Sequence, residues 1–160
     1  MNYWKPSVTV AAVVERDGRF LMVEEETSEG LRLNQPAGHL DPGESLLSAV
    51  VREALEETAH HVEPAACVGI YMSRYRSERN GSDVTYMRFA FACRIVAADA
   101  QRKLDAGIVR ALWLDAEEIR ARRDMHRSPL VARTVEDYLA GKRYPLDMIF
   151  THPSCVYTHV

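Results

Sequence analysis

The amino-acid sequence predicts one mixed α/β domain, and three observations support this fold class. A chain of 160 residues has the usual length of a single domain and can bury a sizeable core. Two pairs of apolar, β-branched segments are each joined by turn residues, which is the pattern of a hairpin. Between these pairs lies one long segment with the periodicity of an amphipathic helix.

The first pair of strands is predicted at Val8–Glu15 and Phe20–Glu25. Asp17-Gly18, which lies between them, is a strong signal for a tight hairpin turn. We interpret the acidic run Glu24–Glu26 as a solvated strand end. The polar, glycine-containing segment Thr27–Arg32 is predicted to be a loop.

A helix is predicted to begin between residues 43 and 46 and to end near residue 59. Asp41 and Glu44 have the spacing of a capping box just before it. At ~100° per residue, one apolar stripe of the helix contains Leu47, Val51, Ala54 and Thr58, with Val50 at its margin. Glu53 and Glu57 stack along the edge of this stripe, and Glu56 lies further toward solvent.

The three helix carboxylates indicate a metal site. Like charges four residues apart repel by roughly 0.2–0.5 kcal/mol, so the pair Glu53 and Glu57 needs a partner. Arg52 offsets part of this repulsion, since its own neighbour at i+4 is Glu56. A hard divalent cation such as Mg²⁺, which prefers oxygen ligands, would neutralise all three carboxylates. The alternative is a solvated acidic helix face, which explains the repulsive spacing less well.

The second pair of strands is predicted at Cys67–Arg76 and Thr85–Val96, joined by a turn at Ser77–Asp83. Four residues of this pair are candidates for phosphate or base contact, with a surface strand position as the alternative for each: Arg74, Tyr75, Arg76 and Arg88. A further strand is predicted at Ile108–Leu114. Two short helices are predicted at Ala116–Arg123 and Pro129–Ala140.

Composition excludes several classes of protein. The net charge of −3 gives no basic field for a nucleic-acid polymer. The N-terminus lacks the pattern of a signal peptide, and the longest apolar run, Val8–Val14, is too short to span a membrane, so we expect a cytoplasmic protein. Cys67 and Cys93 lie in apolar segments, which suits a reducing compartment. The spacing of His152, Cys155 and His159 suggests a soft-metal site, but three ligands without a fourth are weak evidence.

One stretch carries a family resemblance. The pattern Gly38-x5-Glu44-x7-Arg52-Glu53-x2-Glu56-Glu57 resembles the Nudix box, the signature of hydrolases that act on compounds linked to nucleoside diphosphates. The chain departs from the family pattern at Ala59, where the family has glycine, and at His60, where it has an apolar residue. Both positions follow the last carboxylate, and we expect the helix to continue through His60.

The resemblance extends beyond the box. The segments Asn34–Ser45, Arg127–Val131 and Lys142–Ile149 are similar to the small phosphatase branch of the family, the NudJ type. The match implies one Nudix domain over 1–160, with a core at about 7–149 and a mobile tail at 150–160. It also implies an α/β/α sandwich around a mixed β-sheet.

The resemblance further implies a function. The expected enzyme hydrolyses phosphoanhydride bonds in nucleoside di- and triphosphates and in the hydroxymethylpyrimidine pyrophosphate of thiamine metabolism, releasing orthophosphate. Mg²⁺ is the implied metal, with Mn²⁺ as a substitute. The implied partner is a small phosphorylated metabolite, with neither nucleic acid nor membrane, and either a monomer or a homodimer is compatible.

The same resemblance implies roles for particular residues. Glu53, Glu56, Glu57 and a backbone carbonyl around Ala37 or Gly38 are the implied metal ligands. Catalysis is assigned to these glutamates with Arg52, and Glu53 held by Arg52 is our hypothesis for the proton acceptor. Arg74, Arg88 and Gln35 are the candidate substrate-binding residues. Glu44 is expected to support the junction of loop and helix, and Asp105 is either a distal carboxylate of the site or a simple loop residue.

Three functional classes stay open. The first is the phosphatase described above, and the second is pyrophosphohydrolysis of dinucleotides or nucleotide sugars. The third is a non-catalytic ligand sensor, which the joint presence of Arg52 and the three helix glutamates disfavours. The first two differ in substrate-contacting loops that the sequence does not resolve.

Overall fold

The structure is a computed structural model that describes residues 1–157. Within this range the chain forms eight β-strands and three α-helices. The strands are β1 (Ser7–Val13), β2 (Glu15–Arg16), β3 (Arg19–Thr27), β4 (Gly30–Asn34), β5 (Ala37–His39), β6 (His60–Arg76), β7 (Asp83–Ala98) and β8 (Ile108–Asp115). The helices are α1 (Leu46–Thr58), α2 (Ala116–Ala121) and α3 (Leu130–Leu139).

The strands form two sheets, and one of them is mixed. Its order is β5-β1-β7-β6, with β1 parallel to β7 and the other neighbours antiparallel. In the second sheet β3 pairs antiparallel with β2, β4 and β8. The predicted α/β class and the mixed sheet are therefore confirmed.

Strand β1 shows how the core forms on both faces of the mixed sheet. Val10 and Ala12 pack in one cluster with the apolar side chains of α1. Ala11 and Val13 point the other way, into a second cluster with residues of β3 and α3. Successive side chains of a strand alternate between its faces, so the apolar run at 10–13 is buried on both sides.

The first predicted hairpin is wrong in its pairing, although its turn is correct. Asp17 and Gly18 have positive φ angles of 51° and 77° and connect β2 to β3. The long segment before the turn is divided, because β1 joins the mixed sheet beside β7 and only β2 pairs with β3 across this turn. The doubly buried β1 belongs in the centre of a sheet, and the sequence pattern did not show which sheet.

The predicted loop Thr27–Arg32 is also wrong. Strand β3 continues to Thr27, and β4 starts at Gly30, so the segment is a tight hairpin. The Thr27 hydroxyl donates to the Gly30 carbonyl at 2.7 Å and accepts from the Glu29 amide at 3.1 Å. These local hydrogen bonds replace the missing backbone pairs of the turn.

The interpretation of the acidic run as a solvated strand end is wrong for Glu24. This side chain is buried, and Arg110 donates to both of its oxygens at 2.7 and 3.1 Å. Strand β8 brings Arg110 opposite Glu24, which no local pattern shows. The hydrogen bond from Arg110 holds the pKa of Glu24 below its usual value.

Helix α1, Leu46–Thr58, begins and ends where the sequence predicts, but the residues that cap it are different. Its N-cap is Ser45, whose hydroxyl accepts from the Ser48 amide at 3.1 Å, so Asp41 and Glu44 do not form the capping box. The helix ends at Thr58, because Ala59 is left-handed (φ 58°) and donates its amide to the Leu55 carbonyl. The prediction that the helix continues through His60 is wrong, since His60 begins β6.

The buried face of α1 is also rotated relative to the predicted stripe. Glu53 and Glu57 lie within the buried face, whereas Leu47 and Val51 are partly exposed. The carboxylates face β5, which packs against this side of the helix. They are therefore buried functional candidates rather than residues at the margin of the core.

Replacing Ala59 by glycine is expected to stabilise the protein. A left-handed alanine costs roughly 1–2 kcal/mol, and the added entropy of glycine in the unfolded chain removes part of the gain. We expect a net gain of about 0.5–1 kcal/mol and a rise of about 1–4 °C in the melting temperature. The matched control is Ala140→Gly, since Ala140 also caps a helix but is right-handed (φ −71°). Equal or lower stability of Ala59→Gly would contradict the left-handed cap.

The last described residues, up to Tyr157, lie against the loop that precedes α1. Pro153–Cys155 form one 3₁₀ turn, and the Tyr157 amide donates to the Gly43 carbonyl at 3.2 Å. His159, the third member of the suggested soft-metal pattern, lies outside the described residues. Across residues 1–157, no helix is long and apolar enough to cross a membrane.

Candidate active site

A cleft of about 680 Å³ contains most of the predicted site residues. One end is lined by α1 and β5, the floor by β6 and β7, and the opposite wall by β3, β4 and the start of α3. The candidates that line it are Gly38, Arg52, Glu53, Glu56, Glu57, Arg74, Tyr75 and Arg88. Asp105 lines it as well, and its amide donates to the Glu56 carbonyl at 2.9 Å. The fold thus joins residues from distant parts of the chain.

Glu53 and Glu57 are the most deeply buried carboxylates of the cleft. Each residue is 7% exposed, and Glu57 Oε2 accepts from the Ala37 amide at 2.9 Å. Burial raises the pKa of Glu57 to about 9, because the charged form loses its hydration. Burial raises the pKa of Glu53 as well. Two such groups on one helix favour binding of a cation.

Arg52 organises the carboxylates at this end of the cleft. Its Nη1 donates to Glu53 Oε1 at 2.8 Å and to Glu56 Oε2 at 3.1 Å. Its Nε and Nη2 donate to the two oxygens of Glu44 at 3.0 and 2.7 Å, and Nη2 also donates to the His39 carbonyl. The planar guanidinium suits this arrangement, because its donors have fixed directions.

Glu44 in turn fixes Arg52. Its Oε1 accepts from the Asp41 amide at 2.8 Å, which connects the turn before α1 to the helix. The hydrogen bond from Arg52 holds the pKa of Glu44 below its usual value, so Glu44 stays charged. Glu44 therefore supports the junction of loop and helix, as its sequence position predicts.

Gly38 leaves room for the carboxylate of Glu53. A Cβ atom at this position would lie 2.2 Å from Glu53 Cδ and Oε1, which is closer than atoms can approach. Gly38 belongs to β5 and pairs with Val10, so its backbone is ordinary strand. The glycine is required here for a close approach of side chain to backbone and not for a turn.

Arg88 lies at the bottom of the cleft, and Gln35 holds it there. Arg88 is 5% exposed, and it donates to Gln35 Oε1 and Asn34 Oδ1, both at 2.8 Å. Gln35 Nε2 donates to the Val131 carbonyl, so both ends of this amide are used. Gln35 does not line the cleft, which corrects its assignment to direct substrate contact. Arg74 lines the cleft but pairs with Asp83 at 2.6 and 2.7 Å.

Among the cleft residues that were not identified as site candidates from the sequence are Glu25, Asn34 and Arg127. Glu25 belongs to the acidic run that we interpreted as solvated, yet burial raises its pKa. Its Oε1 lies 3.3 Å from Arg127 Nε, and among the described residues it has no hydrogen-bond partner of good geometry. The signal available in the sequence was the period of the strand, which places Glu25 on the same face as the apolar residues Leu21 and Val23.

The residues present fit a divalent metal by their chemistry. The donors at this end are hard carboxylate oxygens, and the burial that raises the pKa of Glu53 and of Glu57 disfavours their charged forms unless a cation is bound beside them. Within residues 1–157, no three acidic, histidine or cysteine side chains are close enough to share one ion as they stand. The hydrogen bonds from Arg52 and Ala37 explain this, and sharing an ion requires the carboxylates to change rotamer.

Comparison with known proteins decides the family. The family model described as NUDIX domain matches residues 4–134, which contain the whole of α1 and β5. The chain belongs to the Nudix hydrolase family. The recognition of the Nudix box from the sequence is therefore confirmed, and this protein is a Nudix enzyme. Nudix hydrolases use divalent metal ions and act on small phosphorylated compounds.

Individual relatives place this Nudix hydrolase more closely. It is 38% identical over 146 residues to Phosphatase NudJ of Escherichia coli K12, which covers 91% of this chain and 92% of that protein. A solved structure of a NUDIX hydrolase from Nitrosomonas europaea is 52% identical, with a TM-score of 0.85 over 93% of this chain and 99% of that one. The MutT protein of Methanosarcina mazei Go1, at 23% identity and a TM-score of 0.64 over 89% of this chain and all of that one, shares the fold. The expected Nudix fold and the likeness to the NudJ branch are confirmed.

Proposed function

We propose that this Nudix enzyme is a Mg²⁺-dependent phosphatase. Its substrates are nucleoside di- and triphosphates and the hydroxymethylpyrimidine pyrophosphate of thiamine metabolism, and its product is orthophosphate. The observation that carries the proposal is the pair of buried carboxylates, Glu53 and Glu57, placed against Gly38 at one end of a cleft whose floor contains Arg88. The similarity to a protein named as a phosphatase supports the type of product.

The proposed metal ligands are Glu53, Glu56, Glu57 and the Gly38 carbonyl, with Mg²⁺ as the ion and Mn²⁺ as a substitute. A divalent ion bound there supplies a water of lowered pKa and neutralises charge on the phosphoryl oxygens. The oxygen-rich donor set favours Mg²⁺ over metals that prefer histidine or cysteine.

The remaining roles fall to side chains whose contacts are known. Glu53 is the proposed proton acceptor, because Arg52 Nη1 holds its carboxylate in place by a hydrogen bond of 2.8 Å to Oε1, and because burial raises its pKa above that of an ordinary glutamate. Arg88 and Arg127 are the positive charges that attract the anionic substrate. Arg74 is a weaker candidate, because Asp83 already uses its guanidinium. Gln35 positions Arg88 through the hydrogen bond at 2.8 Å.

The net charge and the cysteines are consistent with the proposed partner and compartment of the enzyme. A small phosphorylated metabolite is the proposed partner, and the net charge of −3 suits a small substrate better than a nucleic-acid polymer. Cys67 and Cys93 are buried and unpaired in the described part of the chain, which suits the reducing cytoplasm. A monomer and a homodimer are both compatible with this function.

Product analysis tests the proposal. The purified protein is incubated with Mg²⁺ and either ADP or ATP, without added pyrophosphatase, and with EDTA in matched reactions. We expect direct release of orthophosphate from both nucleotides and no reaction in EDTA. Release of pyrophosphate from ATP, with ADP untouched, would show that the enzyme is a pyrophosphohydrolase instead.

A further inference from the structure

Two hairpin turns meet across the end of the cleft that is furthest from the helix carboxylates. The first turn, residues 27–30, joins β3 to β4, and the second, residues 77–82, joins β6 to β7. Arg79 Nη1 donates to the Ser28 carbonyl at 2.7 Å, and the Tyr75 hydroxyl donates to Glu29 Oε1 at 3.0 Å. We call these two connected turns the end wall.

Strand β7 sets the length of the cleft floor between Arg88 and the end wall. Arg88, Tyr86 and Val84 are alternate residues of β7 and therefore share one face of the strand, and all three line the cleft. Four residues of strand separate Arg88 from Val84, which is about 14 Å of floor. Val84 is paired with Tyr75, the residue that reaches across to Glu29. The floor thus ends where the wall begins.

Each turn is held by contacts of its own. Arg74 forms two hydrogen bonds with Asp83 at the base of the second turn, at 2.7 and 2.6 Å. In the first turn, Thr27 makes hydrogen bonds with Glu29 and Gly30. Two internally braced turns are thus joined by two further hydrogen bonds and form one connected surface at this end of the cleft.

We propose that the end wall sets an upper size for the group attached to the diphosphate. A single nucleoside or a smaller ring system fits between the carboxylates and the wall, whereas a group extended at its outer edge meets Tyr75 and the turn of Ser28. The inference rests on the proposed function, because that function places the diphosphate at the carboxylate end. It names a size class of substrate and assigns Tyr75 and Arg79 as residues that determine specificity.

The test compares ADP with N6-benzyl-ADP, which carries the same diphosphate and a rigid ring at the edge of the base furthest from it. The wild-type enzyme is expected to prefer ADP by about tenfold or more in kcat/KM. In the double variant Tyr75→Phe/Arg79→Ala, which removes both hydrogen bonds of the wall, the preference is expected to fall to within about threefold. Glu78→Gln is the matched control, because Glu78 is exposed in the same turn and does not reach the other one. The control should keep the wild-type preference.

Two results would contradict the proposal that the end wall limits substrate size. One is wild-type hydrolysis of N6-benzyl-ADP as fast as that of ADP, and the other is a double variant that keeps the wild-type preference. If neither the wild-type enzyme nor any variant hydrolyses ADP, the proposed function fails. The role of the end wall is then tested by the dissociation constants of ADP and N6-benzyl-ADP, measured by calorimetry with Mg²⁺. The same tenfold and threefold ratios are expected for these constants. Failure of the function and failure of the wall are therefore distinguishable.

Discussion

Replacing Glu57 by glutamine is expected to lower Mg²⁺-dependent turnover by about 10²-fold or more while the fold stays intact. The substitution keeps an oxygen that accepts from the Ala37 amide, and it replaces a buried carboxyl group, which a pKa of about 9 leaves protonated at neutral pH in the metal-free protein, by a neutral amide. A neutral amide in place of a protonated carboxyl group leaves this buried position uncharged as before, so we expect the fold to keep its stability and the loss to be confined to the chemistry. Turnover of ADP and thermal melting of the same preparation measure the two effects.

The control for this substitution is Glu26→Gln on strand β3. Glu26 is exposed and lies outside the cleft, so the same substitution there leaves the site unchanged. This variant should keep wild-type turnover. A folded Glu57→Gln protein with turnover close to that of the Glu26→Gln control would remove Glu57 from the proposed metal site.

Replacing Gly38 by alanine is expected to lower turnover by about 10²-fold without unfolding the protein. The new methyl group would lie 2.2 Å from the Glu53 carboxylate, so this carboxylate must move away from its position beside Arg52. The backbone of Gly38 has an ordinary strand conformation, which alanine adopts without strain. Displacement of a reacting group by about 1 Å is enough for a loss of this size.

Gly69→Ala provides the matched control for Gly38→Ala. Gly69 is also a strand glycine, and a methyl group there would meet the Tyr71 hydroxyl at 2.6 Å and its ring at 2.7 Å instead of a carboxylate. We expect Gly69→Ala to lower the melting temperature and to keep most of the turnover. If Gly38→Ala retains wild-type turnover, the close contact of Gly38 with Glu53 has no role in the reaction.

The part of the site that lies within one helix was predictable from the sequence. Arg52, Glu53, Glu56 and Glu57 are neighbours on α1, and helical geometry alone places them together. The depth of Glu53 and Glu57 was not predictable, because it depends on β5 packing over them. A local pattern gives the relative positions of side chains on a helix and leaves their burial open.

The opposite wall of the cleft shows why the site residues outside α1 were not all predicted from the sequence. Glu25, Asn34 and Arg127 come from β3, β4 and the segment before α3, and they meet only through strand pairing and packing. Glu25 belongs to an acidic run whose composition predicts a solvated strand end, and β4 begins in a segment whose composition predicts a loop. The prediction that the helix continues through His60 was wrong for another reason, since Ala59 adopts a left-handed conformation that glycine usually takes.

The position attacked by water tests the central claim most directly. The wild-type enzyme hydrolyses ADP with Mg²⁺ in water enriched in ¹⁸O, and mass spectrometry then locates the label in orthophosphate or in AMP. A phosphatase that removes the terminal phosphoryl group places the label in orthophosphate. Label in AMP would show attack at the inner phosphorus and would contradict the proposed phosphatase function.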